Sequence, residues 1–281
     1  MTGSSTRYAM AWESVIEHPR ADRTGKPRES GTTFVSVKGI GLGALRDMVE
    51  VAGPYIDRVK LAFASTVLYD VDFVRRVTAL MRDHSIDVNP GGTCGEIALH
   101  QGRYAEFLLR ARELGFSTIE VSDGTIPMDD KRRSQCIYAA IGAGFRVVSE
   151  VGSKVRSRQL GLPEVVRQIE RDISFGVSTV IIESRATALG VGVFDEAGNI
   201  RDDYVDYITA RTDPTSLTWE APTPSAQIYF VSRFGPNVNI GNVGPTDVIS
   251  LEAQRRGLRS DTLRLMLEGH PDASDTVEPT H

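Results

Sequence analysis

The sequence predicts a single (β/α)8 barrel of the TIM type. Three observations carry that expectation. Eight apolar, β-type runs recur near residues 33–38, 56–63, 86–89, 116–122, 145–151, 178–183, 216–220 and 237–241. Amphipathic stretches separate them, so strand and helix alternate. The runs also keep ending in a charged or amide side chain. Lys60 ends one in VKLAF, Asn89 in IDVNPGG, Glu120 and Asp123 in FSTIEVSDG, and Glu150 in FRVVSEVGSK. Glu183 and Arg185 follow in STVIIESR, Glu220 in SLTWEAP, and Asn239 and Asn242 in NVNIGN. Buried parallel strands are near-continuous apolar runs. Polar groups gathered at their ends therefore point to one chemically active rim.

Residues 1–30 mix charge, proline and glycine and read as an arm or leader; residues 31–267 would form the barrel. Residues 268–281 are polar and acidic with two prolines, and read as a disordered tail. In VDFVRRVTALMRDHS, the residues Val71, Val74, Val77, Leu80 and Met81 fall on one helical stripe. Gly115 and Gly144 follow helical segments, as C-cap glycines do. Asp123-Gly-Thr-Ile-Pro127 makes a turn that places Pro127 near the first turn of the next helix. An open doubly wound sheet is the rival architecture, and it requires a glycine-rich phosphate loop after the first strand. VKGIGLG supplies Gly39, Gly41 and Gly43, but not the dinucleotide pattern with its downstream acid, and no Walker sequence occurs.

A chain of 281 residues with 41% hydrophobic residues can build one large α/β domain. A formal net charge of −5 and a pI of about 5.6 argue against non-specific nucleic-acid binding. Two cysteines, Cys94 and Cys136, leave no disulfide framework or zinc knuckle. The five histidines are scattered, which disfavours a multi-histidine metal site. The N-terminal stretch lacks a signal-peptide core, and no segment approaches a membrane span. A cytoplasmic protein is expected, with small-molecule substrates, no nucleic-acid or membrane partner, and a homo-oligomeric assembly.

Several motifs carry chemistry. In PGGTCGE, Gly91 and Gly92 let backbone amides approach an anion and Thr93 adds a hydroxyl, although an ordinary βα turn reads the same way. In IEVSDG, Glu120 and Ser122 share a strand face. A buried glutamate there needs a lysine or cation as partner. SEVGSK places Lys154 four residues after Glu150, where it is either a general acid or a solvated loop lysine. Lys60 lies inside an apolar strand, so it points into the barrel mouth or into a buried pair. Carboxylates converging without histidine suit a hard cation such as Mg²⁺. The basic stretch RRGLRSDT, with Arg256 and Arg259, is a phosphate-site candidate or a solvated face.

Together, in this order, these pieces resemble the phosphosulfolactate synthase family, of which the chain looks like a divergent member. The likeness runs from about residue 34 to 265 through YIDRVKLAF, PGGT, ELGF, IEVSDGT, EVGSK, VIIE, EAP and ISLEAQRRGLRSDT. The resemblance implies a (β/α)8 fold and Mg²⁺-dependent addition of sulfite, or a related small nucleophile, to C2 of phosphoenolpyruvate, with coenzyme M as the pathway. It implies that Lys154 is the acid that protonates C3, with Lys60 and Glu120 beside it in the catalytic set. Asp123, Glu150, Glu183 and Glu220 would supply the metal site. Gly92, Thr93, Ser122, Arg185, Asn239, Asn242, Arg256 and Arg259 would meet substrate. The chain departs from the family pattern at Ala62-Phe63-Ala64-Ser65-Thr66, at GGTCGE, and in the loop from Glu183 to Gly190. Two other readings stand beside this one: a non-catalytic, stress-associated or interaction protein of the same family, and a Schiff-base aldolase using Lys60 or Lys154.

Overall fold

The computed structural model describes residues 11–152, 159–184 and 192–268, with side chains to residue 264. The expected alternation is present. β1 (Thr33–Val37), α1 (Leu42–Ala52), β2 (Arg58–Leu61) and α2 (Val71–Asp83) open the chain. β3 (Asp87–Asn89), α3 (Gly92–His100), α4 (Tyr104–Glu113) and β4 (Thr118–Val121) follow. Next come α5 (Asp130–Gly142), β5 (Arg146–Val151), α6 (Leu162–Ser174) and β6 (Val180–Ile182). α7 (Asp202–Thr209), β7 (Leu217–Glu220), α8 (Pro224–Phe234), β8 (Ile240–Val243), α9 (Val248–Arg255) and α10 (Ser260–Glu268) complete it.

The eight strands run parallel in the order β3-β2-β1-β8-β7-β6-β5-β4. β3 and β4 are joined by the Ser117 amide, which donates to the Val88 carbonyl at 3.2 Å, so the sheet comes nearly full circle. Outward residues such as Val59, Ile119, Val147, Ile182 and Trp219 pack under the helices and form the core. Each such side chain contributes about 1.5–3 kcal/mol by leaving water. Trp219 stacks on Phe230 at 5.0 Å between centroids, fixing α8 on β7. The alternate residues point inward, and two positions along a strand changes the level inside the barrel. Lys60 therefore lies above Arg58, and Glu120 above Thr118.

Local chemistry explains the element ends. The Asp70 carboxylate accepts from the Phe73 amide at 2.8 Å and starts α2, whose buried face is Val74, Val77, Thr78 and Met81. Gly115 and Gly144 adopt φ of +85° and +81° just past α4 and α5, where a side chain would be strained. Two details depart from the expectation. α5 begins at Asp130, because Asp129 caps the Arg132 amide, so Pro127 sits in the preceding loop. A helix pair, α3 and α4, replaces a single β3–β4 helix; Gly102 turns the chain at φ +71° between them.

At the N-terminal ends of the strands, the segment before β1 lies against the barrel. Arg28 pairs with Asp57 at 2.9 Å, Arg23 with Glu252 at 3.1 Å, and Thr24 bonds Asn237. Among the described residues no helix is long and apolar enough to cross a membrane.

Candidate active site

The C-terminal mouth of the barrel gathers the polar strand ends around Lys60. Its ammonium lies 3.2 Å from Glu120, 3.6 Å from Glu220 and 3.8 Å from Glu150. Glu120 is held from two further sides. Its Oε1 accepts from the Gly92 amide at 3.1 Å and its Oε2 from the Asn89 side-chain amide at 3.1 Å. Gly92 must be glycine here. A Cβ would stand 2.7 Å from Ser122 Cβ and 2.8 Å from Glu120 Oε1. The glycine motif after β3 thus serves close approach of the α3 N-terminus to a carboxylate.

A second chain of bonds runs through Ser122. Its hydroxyl lies 2.8 Å from Glu96 Oε1 and 2.8 Å from Glu150 Oε1. One hydroxyl proton can be donated to only one of them. The other Glu96 oxygen accepts from the amides of Thr125 and Ile126, at 3.0 and 2.6 Å. Glu96 thereby anchors the loop after β4. It ends the PGGTCGE motif, and only its burial inside α3 separates it from an ordinary surface glutamate.

Glu150, Glu183 and Glu220 form a triad. One carboxylate oxygen of each lies within 4.8 Å of the others, and all three side chains are buried. Gly152, at φ +126°, lets β5 pass Glu183; a Cβ there would meet Glu183 Cβ at 2.8 Å. Ser184 clamps Glu220, its amide donating to Oε2 at 3.3 Å and its hydroxyl to the backbone carbonyl at 2.9 Å. Among the described residues, four buried glutamates face one lysine. Buried carboxylates this close together need cationic partners. The oxygen-only donor set fits a hard divalent ion, Mg²⁺ above all.

The chain matches the family model for (2R)-phospho-3-sulfolactate synthase over residues 21–261. It belongs to that family. A phosphosulfolactate synthase from Methanothermobacter thermautotrophicus is 39% identical over 243 residues, covering 86% of this chain and 94% of the relative. One from Bacillus subtilis is 36% identical, covering 86% and 96%. The Arabidopsis thaliana protein HEAT-STRESS-ASSOCIATED 32 is 23% identical over 87% of this chain and 91% of its own length. Among solved structures, a 3-hexulose-6-phosphate synthase from Salmonella typhimurium superposes with a TM-score of 0.52 at 15% identity, covering 85% of this chain and 100% of that one. That likeness concerns the barrel alone.

Within this phosphosulfolactate synthase fold, the expected site residues divide. Lys60, Glu120, Ser122, Glu150, Glu183, Glu220 and Gly92 meet at the mouth, with Thr93 partly buried in the first turn of α3. Asn242, at φ +57°, lines a cavity of about 10 Å³ beneath Lys60 together with Glu120 and Glu220. Asp123 is turned away from the triad. Arg133 donates to it at 2.8 Å and also holds Asp172 and the Glu150 carbonyl. Burial pushes the Asp123 carboxyl up, against the pull of Arg133. Asn239 precedes β8, at the opposite end of the barrel. Its amide donates to the Thr215 and Leu217 carbonyls, and its oxygen accepts from Thr32. Arg256 and Arg259 follow α9, which runs back down the barrel wall. Arg256 is held by Glu252 at 2.7 Å, Arg259 by Ser250 and Asp261. Asp123 was expected as a metal ligand and these three as substrate ligands; here each is engaged by local partners. Lys154 and Arg185 lie outside the described residues. Glu96, Asn89 and Arg133 enter the site without having been singled out for a role.

Proposed function

We propose that this chain joins sulfite, or a related small nucleophile, to phosphoenolpyruvate, aided by a divalent cation such as Mg²⁺ held by Glu150, Glu183 and Glu220. Family membership supports the reaction class. The single structural observation that carries the siting is the convergence of that triad with Lys60 and Glu120 at one mouth. A bound cation would act as a Lewis acid toward the substrate carboxylate.

The product named by the family reverses the expected regiochemistry. A (2R)-phospho-3-sulfolactate carries its sulfo group on C3 and its stereocentre on C2. The sulfur lone pair therefore attacks C3, the C2–C3 π pair moves toward C2 and the carboxylate, and a proton goes to C2. This direction is also electronically sound, because only charge at C2 can spread into the carboxylate. Lys154 remains the proposed donor of that proton, now to C2 rather than C3. Lys60 is placed to neutralise Glu120 and Glu220 and to face the incoming anion. Its commitment to three carboxylates disfavours the Schiff-base reading.

A non-catalytic role has one observation in its favour: among the described residues Lys60 contacts three of the rim carboxylates. One experiment separates the readings. The chain is incubated with phosphoenolpyruvate, Mg²⁺ and either sulfite or a panel of small nucleophiles, and products are read by mass spectrometry. A sulfite adduct supports the synthase reading. Another adduct identifies a different nucleophile, and no adduct with any of them supports the interaction protein.

A further inference from the structure

Ser122 sits where three elements meet. It is the first residue after β4, and its hydroxyl touches Glu96 on α3 and Glu150 on β5, each at 2.8 Å. The Gly124 amide donates to the same oxygen at 3.3 Å. Ser122, Glu96 and Glu150 are all buried, so water does not compete for these bonds.

The backbone and the side chain of Glu150 are held by different partners. Arg133 donates to its carbonyl at 2.9 Å, which fixes the strand but leaves the carboxylate free to turn. Ser122 holds Oε1, while Oε2 faces Lys60 at 3.8 Å. A hydroxyl on one oxygen of a ligating carboxylate fixes its plane, and with it the oxygen offered to a cation. Glu96 holds Ser122 in turn. Its Oε2 is tied to the Thr125 and Ile126 amides, so its Oε1 stays in place against the hydroxyl. That hydroxyl has a single proton to share between the two glutamates. Glu96 therefore competes with Glu150 for the same donor.

We propose that Ser122 and Glu96 are positioning residues of the cation site: Ser122 sets the orientation of Glu150, and Glu96 acts on Glu150 through Ser122. This rests on the reading of Glu150, Glu183 and Glu220 as the cation triad. It gives Ser122, expected to meet substrate, a role through a ligand instead.

A double-substitution cycle tests it. Mg²⁺ affinity is measured by calorimetric titration on the full chain, on Ser122→Ala, on Glu96→Gln and on the double variant, each held below its own melting temperature. Ser122→Ala changes no charge and should weaken Mg²⁺ binding about 10-fold or more, as loss of an outer partner does. Glu96→Gln removes a charge, but its amide nitrogen can donate to Ser122 and commit the hydroxyl proton to Glu150, while its oxygen keeps the two backbone amides. It should therefore cost several-fold less affinity when Ser122 is present than in the Ser122→Ala chain. A charge acting through space, or a role in stability alone, makes those two losses equal. If Ser122→Ala does not fold, Ser122→Cys, whose thiol is a weaker donor, takes its place and should show the same order. Affinity of Ser122→Ala within about twofold of the unaltered chain, or equal losses from Glu96→Gln in both backgrounds, would overturn the inference and leave the triad standing. An unaltered chain that takes up no Mg²⁺ would overturn the triad reading and this inference with it.

Discussion

The two mouths of this barrel carry different charge arrangements on the same strands. On β2, Arg58 and Lys60 are two residues apart and face the same interior. Lys60 stands among Glu120, Glu150 and Glu220, with Glu183 close by. Arg58 stands at the strand entries, where its guanidinium stacks on Phe34 and Asp57 and Asp87 lie in ion pairs with Arg28 and Arg146. Among the described residues, carboxylates cluster at one end, while arginines pair with aspartates at the other. A parallel barrel imposes this independence, because strand ends and strand entries meet different loops. The lesson is that net charge, −5 for the whole chain, says little about either mouth.

The comparison can be broken most forcefully at Lys60. Lys60→Met leaves Glu120 buried without its ammonium, and should cost about 3–5 kcal/mol in a denaturant melt. Added Mg²⁺ should return part of that loss if the triad takes a cation. A near-neutral effect would show that the carboxylates do not depend on Lys60. Next in size, Glu150→Gln should lower turnover at least about 100-fold and weaken Mg²⁺ binding, as loss of a ligand does. Calorimetric titration with Mg²⁺ checks the second half, and unaltered affinity would remove Glu150 from the triad's role.

A smaller effect sharpens the packing side. Gly92→Ala forces a methyl against Ser122 and Glu120, and should cost about 1–3 kcal/mol of stability. Wild-type stability there would mean that α3 can shift freely from Glu120. The smallest effect belongs to the other mouth. Lys26, lowered from 10.5 to about 8, binds its proton less well folded than unfolded. Its contribution to stability therefore declines as pH falls from about 10.5 to about 8 and is flat below that range. Nuclear magnetic resonance of the labelled lysine should show a midpoint near 8. A midpoint near 10.5 would mean that Lys26 is solvated.

Much of the barrel was legible because parallel strands and amphipathic helices have different periods. The rim carboxylates were legible because they end apolar runs: Glu120, Glu150 and Glu220 are each the last or next-to-last residue of a strand. What failed was direction. NVNIGN reads as one polar strand end, but the strand begins at Ile240, so Asn239 lies at the entry and Asn242 near the exit. RRGLRSDT reads as a phosphate-site candidate, but it follows α9, and one helix length carries Arg256 to the other mouth. Asp123 is engaged by Arg133, ten residues away on α5, a partner that strand patterning does not reveal. Glu96 was hidden because a glutamate on a helix is usually solvated, and only the β4 loop folding over it makes it structural.

The central claim is that the carboxylate-rich mouth directs carbon–sulfur bond formation at C3. It is tested most directly with ¹³C3-labelled phosphoenolpyruvate, sulfite and Mg²⁺, following the labelled carbon by nuclear magnetic resonance. The account expects a single product whose labelled methylene bears sulfur, with a new proton on C2, and its loss in Glu150→Gln. A product with sulfur on C2, or the same product at the same rate in Glu150→Gln, would contradict it.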